Sequence, residues 1–450
     1  MIDFFRMGNR FTFKSFLLGM SVLACFNSCA DRLESDLEVF DDTPAKTILA
    51  YISADNPETS SLFPYVQVNL NDMAYGMRQE AGSNCNILAF VDGPGKSKSY
   101  FMNIHDGIME KVFIFDETNV KNFSPEIDSN QDGNLDSSNP ATLRMAIDFM
   151  MKHYPDREYG LILWSHGGGW IPRDKWNRIT EQYTRSKASV SSAFPSDAMP
   201  LLTKGSTLTR YFAYEPSNSM ELDELAAAIP DHCFDFIVFD ACYMGCVEVA
   251  YALRNKTRYI ISSTTEIMGT GFPYRSVAGR LANGYLIGAC REFYTYYNNF
   301  DDYRRLGEVS LVCTGELDSL ACCFRKIVSG KSDVWRSDTE FSNIQYFDRF
   351  NNGINDRRSV FFDLNAVART YSKSEAEYNE FRNQLERCIL YAASTPELFI
   401  YYPPLFYRQD HITVNEFSGL SVYIPFRDND AIGLNDSYAQ LEWSKETNYK

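Results

Sequence analysis

Between Thr47 and Tyr274, short apolar runs alternate with longer stretches whose apolar residues recur at helical spacing. TILAYIS, NILAFVD, KVFIFD, LILWSH, FIVFDA and YIISST are the runs, rich in β-branched and aromatic residues. Strands this continuous offer no polar face to water, so both of their faces must be covered. LNDMAYGMRQ, PATLRMAIDFMMKHY, MELDELAAAI and CVEVAYALRN lie between them and supply the covering helices. The alternation predicts an α/β fold: an α/β/α sandwich around a mostly parallel sheet, with function at the C-terminal ends of the strands. A chain of 450 residues with 45% apolar and 15% aromatic content can bury sizeable cores, and its length suggests two to three domains. Residues 44–274 are expected to form the sandwich. Residues 275–450, with helical stretches around residues 281–297 and 375–393 and strand-like VSLVC and LSVYIPF, are expected to form a smaller C-terminal α+β domain.

Two of the runs end in reactive side chains. YGLILWSHGGGW delivers His166 and FDFIVFDACYMG delivers Cys242, each at an abrupt turn after the strand. An imidazole and a thiol presented this way point to nucleophilic catalysis, and His166 alone among five histidines precedes three glycines. A cysteine attacks as thiolate, a form favoured by a nearby imidazole or a helix N-terminus. The amphipathic stretch after Cys242 is expected to set that residue at the positive end of its helix. Glycines let backbone N–H groups approach a ligand, so the amides of Gly167 and Cys242 are the expected oxyanion donors. Taken singly, a cysteine at a strand end is ordinarily a small core residue; it is the joint pattern that favours catalysis. Cys246 reads as core.

At these segments the chain resembles the clostripain family of cysteine peptidases, in the caspase-like clan. The resemblance also takes in KTILAYISADN with VNLNDMA, NILAFVDG, SSTTEIMGTGFPY and FSGLSVYIPF, and so nearly all of the chain after its first forty residues. It implies that His166 acts as general base and acid and Cys242 as nucleophile. It further implies that Asp240 lines a pocket for the basic residue before the cleaved bond, where a carboxylate would pair with Arg or Lys. An Asp here could instead cap a turn. Strictly basic-specific members often carry a second acid in the loop that here reads MGTGFP; this chain has Thr270 there, with Glu266 close by as a substitute. The pocket is therefore less acidic than the family pattern.

The first residues bear on location. Arg6, Arg10 and Lys14 precede the apolar run SFLLGMSVLA, too short to span a membrane, so residues 1–28 read as a lipoprotein signal peptide. VLAC at Cys25 and FNSC at Cys29 each resemble a lipobox; Cys29, leading into an acidic tether over residues 29–43, is preferred. The expected product is an exported lipoprotein on the outer membrane, at its periplasmic or cell-surface face, anchored by acyl chains alone. Removing residues 1–28 takes away three basic residues and Asp3, a net +2, and moves the formal charge from −16 to −18. So acidic a body disfavours nucleic acid and suits a basic peptide. The eleven cysteines are scattered, with no dense disulfide framework.

Two segments between the motifs complete the reading. IDSNQDGNLDSSN places Asp128, Asn130, Asp132 and Asp136 at calcium-loop spacing, but Asn139 stands where such a loop wants a bidentate Glu. An Asx-rich turn with Asn139 as N-cap and Pro140 at the first helical position explains the same residues and is preferred. No cofactor is required, and calcium stays open. Residues 171–218 form a long loop rich in Lys and Arg, where the resemblance implies self-cleavage after a basic residue, at Arg185 or Lys187. The function expected is a cysteine endopeptidase cutting after Arg or Lys. The alternative is a catalytically silent, lipid-anchored surface protein that binds peptides or glycans.

Overall fold

The apolar runs become strands of a nine-stranded sheet in the computed structural model, which describes residues 46–57, 61–80, 84–95, 99–116, 118–120, 123, 125–128, 134–155, 158–175, 212–215, 218–302, 304–329, 344–348, 350–351, 357–399, 411–426 and 433–449. Cys25, Cys29, Asn130, Asp132, Arg185 and Lys187 lie outside the described residues, as do the signal peptide and the acidic tether. The sheet strands are β1 (Lys46–Ser53), β2 (Cys85–Asp92), β3 (Tyr100–His105), β4 (Ile108–Ile114), β5 (Glu158–Trp164), β6 (Phe234–Asp240), β7 (Thr257–Ser262), β8 (Glu308–Cys313) and β9 (Ile389–Ser394). Their spatial order is β9-β8-β7-β6-β5-β1-β2-β3-β4. The middle five, β7-β6-β5-β1-β2, run parallel, and both edges are antiparallel.

Burial follows from this arrangement. All eight residues of β1 are buried, as are the last five of β5 and of β6, because layers cover both sides of the parallel core. Helices α1 (Phe63–Glu80), α2 (Pro140–His153), α3 (Leu222–Ala228), α4 (Val247–Ala252), α5 (Tyr274–Ala282) and α6 (Leu286–Asn298) surround it, with α1 packed on α5 and α5 on α6. The turn reading ahead of α2 describes its start: Asn139 Oδ1 accepts from Ala141 N at 2.9 Å, with Pro140 in the first turn.

Three elements differ from expectation. KVFIFD was read as one more strand of the alternation, whereas β4 is the outer arm of an antiparallel hairpin whose other arm, β3, carries no continuous apolar run. The turn between the arms is Asp106–Gly107, both with positive φ (48° and 80°), the sequence signal for a tight hairpin. The segment after residue 275 adds β8 and β9 to the same sheet, beside short two-stranded ribbons of its own, and residues 43–450 form one compact unit. LSVYIPF contributes only Ser421–Val422, paired with Phe362–Asp363 in a short ribbon.

Candidate active site

Strand register brings the two reactive residues side by side. β5 and β6 are parallel neighbours with Trp164 opposite Asp240, and Ser165 N still donates to Asp240 O at 3.4 Å. His166 and Cys242 each come two residues after these paired strand ends, at the C-terminal edge of the sheet. Both are wholly buried. Gly167 packs on the backbone of Cys242 so closely that a Cβ there would fall 2.5 Å from Cys242 O and 2.9 Å from Cys242 N.

The turn after Cys242 is held by the segment that follows β7. Tyr243 N donates to Thr265 O at 2.9 Å and Gly245 N to Ser263 O at 2.7 Å, an antiparallel pairing. That pairing continues onto the sulfur: Ile267 N donates to Cys242 Sγ at 3.1 Å, and Ile267 O lies 3.6 Å from it. An N–H directed at sulfur favours its anionic form. Tyr243 takes a positive φ of 60°, rare for a non-glycine residue, and its ring stacks on Phe361 at 4.9 Å. The expected helix dipole is absent from Cys242: α4 begins only at Val247, with buried Cys246 as N-cap, because the 241–245 turn intervenes. The amide of Ile267 supplies a donor in its place.

Asp240 is also fully buried, and its carboxylate is tied into the 268–274 loop. Oδ2 accepts from Phe272 N at 3.1 Å and from Tyr274 Oη at 2.8 Å. Burial and then the charge of Asp240 push the Tyr274 phenol upward, so it remains a donor at neutral pH. Gly271 has a φ of 72°, and a Cβ there would lie 2.4 Å from Asp240 Oδ2. Thr270 sits at the half-buried rim, its carbonyl accepting from Asn69 Nδ2 (2.9 Å) and its hydroxyl 3.3 Å from Tyr297 Oη. Tyr297 Oη donates to Gly271 O at 2.5 Å, and Asn69 Oδ1 accepts from Trp164 Nε1 at 2.7 Å. Glu266 is held by different groups: its Oε1 accepts from Tyr243 Oη at 3.3 Å. Sequence reasoning missed Asn69, Tyr274 and Tyr297, whose contacts cross 201, 34 and 26 residues of chain and leave no local pattern.

The glycine-rich turn is anchored from the C-terminal part of the chain. Trp170 meets the rings of Tyr423 at 4.9 Å and Tyr438 at 5.2 Å, and the turn after Cys242 is held from the same part of the chain, Ser421 N donating to Gly245 O at 3.0 Å. Of the calcium-loop candidates, Asp128 and Asp136 are described and buried, while Asn139 is committed to capping α2.

A parallel α/β sheet presenting an imidazole and a thiol at the ends of neighbouring strands defines the caspase-like class. Within that class the sequence profile of the clostripain family matches residues 50–185 and 200–450, and the chain belongs to this family of cysteine-type endopeptidases. Clostripain of Hathewaya histolytica is 25% identical over 250 residues, which cover 53% of this chain and 42% of clostripain; the chain thus matches less than half the length of that relative. An inactive zymogen protease from Parabacteroides distasonis is 29% identical at a TM-score of 0.68, covering 92% of this chain and all of the other. A secreted cysteine protease from Bacteroides thetaiotaomicron, solved with an irreversible peptide inhibitor, shares the fold at a TM-score of 0.65 and 22% identity, over 90% of this chain and 99% of that one.

Proposed function

We propose that the chain is a cysteine endopeptidase with Cys242 as nucleophile and His166 as acid and base, cutting after Arg or Lys. The observation that supports this reading is the β5–β6 register, in which Trp164 stands opposite Asp240 two residues before His166 and Cys242. The thiolate sulfur attacks the scissile carbonyl carbon while the amides of Gly167 and Cys242 receive the oxyanion. Protonated His166 gives its proton to the leaving amine as the C–N bond breaks. The imidazole then takes a proton from water, which attacks the thioester, frees the acid and returns the thiol. No metal or organic cofactor enters these steps. A basic side chain is selected by Asp240, with Thr270 at the rim and Glu266 as a second, more remote acid.

Fluorogenic peptides ending in Arg, Lys or a neutral residue, assayed with reductant, test both halves. Hydrolysis should vanish with Cys242→Ala, falling by at least about 10³-fold. Asp240→Asn should lower kcat/KM for basic substrates by about 10²–10³-fold and leave neutral ones within about threefold. Wild type that cleaves none of them would instead support the silent binding protein. Cleavage after neutral residues alone would keep the enzyme and remove Asp240 from specificity.

Activation and location belong to the same proposal. Complete burial of His166 and Cys242 closes the site to a peptide, which fits a latent form, and the similar Parabacteroides protein is an inactive zymogen. Cleavage after Arg185 or Lys187 would open it. Wild type should then resolve into two bands under assay conditions while Cys242→Ala stays as one; a single band for an active wild type would rule self-processing out. Lipidation at Cys29, or at Cys25, would hold the protein to the outer membrane, at its periplasmic or cell-surface face. Partition into detergent that is lost with Cys29→Ser, or with Cys25→Ser, checks the anchor.

A further inference from the structure

The turns that follow His166 and Cys242 meet on a third segment, far along the chain, that no sequence motif marks. Phe361, the residue before the Phe362–Asp363 strand, has no exposed surface. Its ring stacks on Tyr243, next to Cys242, with centroids 4.9 Å apart and planes 16° from parallel. The same ring lies against Gly169, the third glycine after His166. A Cβ on Gly169 would fall 2.8 Å from Phe361 Cε1, 3.0 Å from Cζ and 2.9 Å from Tyr243 O. One side chain from beyond residue 275 therefore touches both turns at the point where they touch each other.

Both contacts fall on backbone in the left-handed region, with φ of 65° at Gly169 and 60° at Tyr243. Glycine adopts this conformation at no steric cost, whereas a tyrosine keeps it only where its surroundings hold it there. Tyr243 is held by its N–H, which donates to Thr265 O at 2.9 Å, and by the stacked face of Phe361.

Phe361 is itself fixed. Its N–H donates to Asp348 Oδ1 at 2.8 Å, and its carbonyl accepts from Phe347 N at 2.9 Å. Val360 N donates to both oxygens of the same buried carboxylate, each at 3.0 Å. Phe347 O in turn accepts from Thr265 Oγ1 at 3.1 Å. Thr265 belongs to the run that pairs with the Cys242 turn and leads to Ile267 N, the donor to Cys242 Sγ. Phe347, Asp348 and Phe361 thus form one support beneath the glycine turn, the cysteine turn and the segment that addresses the sulfur.

We propose that Phe361 is a positioning residue for the peptidase reaction, its ring setting the spacing of the His166 and Cys242 turns and holding Tyr243 in its left-handed conformation. The proposal rests on His166 and Cys242 being the catalytic pair. Phe361 exchanges no proton and acts only through the two turns. A leucine would fill part of the same space but would offer no flat face to Tyr243. The loss should fall on the chemical step and spare substrate affinity, because the loop at Asp240 is held by other groups, Phe272 N and Tyr274 Oη.

The test compares the full wild-type chain with Phe361→Leu, Thr265→Val and Phe381→Leu, each assayed below its own melting temperature on the fluorogenic peptide that wild type cleaves best. Phe381 is the control: a fully buried ring packed on Phe324 at 5.9 Å in the helix Glu375–Cys388, whose change to Leu removes the same atoms. Phe361→Leu should lower kcat by about tenfold to 10²-fold, with KM within about threefold of wild type. Thr265→Val, which removes only the hydroxyl that donates to Phe347 O, should lower kcat by about threefold or more in the same selective way. Phe381→Leu should lower the melting temperature and leave kcat within about twofold. A kcat unchanged in Phe361→Leu, or lowered equally by Phe381→Leu, would overturn the proposal. Should Phe361→Leu fail to fold, an unchanged kcat in Thr265→Val would overturn it instead. Hydrolysis that survives Cys242→Ala is a different failure, which removes the catalytic pair and this proposal with it.

Discussion

At the scale of single residues, Gly167 has the least room for change. A Cβ at this position would meet Cys242 O at 2.5 Å and Ala241 Cβ at 2.8 Å, so Gly167→Ala must push the two strand ends apart. Overpacking of this kind costs roughly 1–3 kcal/mol, and a displacement of about 1 Å between reacting groups costs about 10²-fold in rate. Thermal melting and peptide hydrolysis should therefore fall together in this variant; unchanged hydrolysis would mean that the close fit of Gly167 against Cys242 does not limit the reaction. The placement of His166 and Cys242 just past the ends of β5 and β6 was legible in the sequence because each closes a continuous apolar run at a polar turn, a signal carried within a dozen adjacent residues. The shell around Asp240 was not. Tyr274 stood in view as the end of GTGFPY, yet only the folded loop aims its hydroxyl at a carboxylate 34 positions earlier.

At the scale of elements, the acidic group at the ends of β1 and β2 sets a pH dependence of stability. Burial raises Asp92 from 3.8 to about 7, with Ser99 and Ser137 opposing and Asp55 reinforcing the shift. The folded state therefore holds a proton that the unfolded chain releases near pH 4. Its stabilising effect is complete below about pH 4 and is lost as pH rises through about 7. Glu215, whose shift has the same sign, adds to the loss. The melting temperature of Asp92→Asn relative to wild type should climb between about pH 5 and about pH 8. A gap that stays flat with pH would mean Asp92 is not proton-linked. The parallel centre of the sheet was legible from continuous apolar runs. The β3–β4 hairpin was overlooked because β4 is largely exposed and resembles the interior strands only in part, although Asp106–Gly107 announced its turn. Cys242 was expected at the start of α4, which begins five residues later at Val247, since amphipathic spacing marks a helical face and not the turn that precedes it.

For the molecule as a whole, the C-terminal half completes what the first half begins. Strands β8 and β9 extend the sheet beyond β7, and Tyr423 and Tyr438 pin Trp170 at the end of the SHGGGW segment. That β8 and β9 join the large sheet left no local pattern in the sequence, because antiparallel edge strands need no crossover helix to reveal them. The central claim concerns one sulfur among eight described free cysteines, several of them as buried as Cys242. The most direct measurement is labelling with a thiol-reactive peptide ending in Arg or Lys, followed by mass spectrometry of the modified fragment. One label per active chain on Cys242, with hydrolysis lost in proportion and no label on His166→Ala, is the predicted result. Label on another cysteine, or full hydrolysis after Cys242 is modified, would contradict the account.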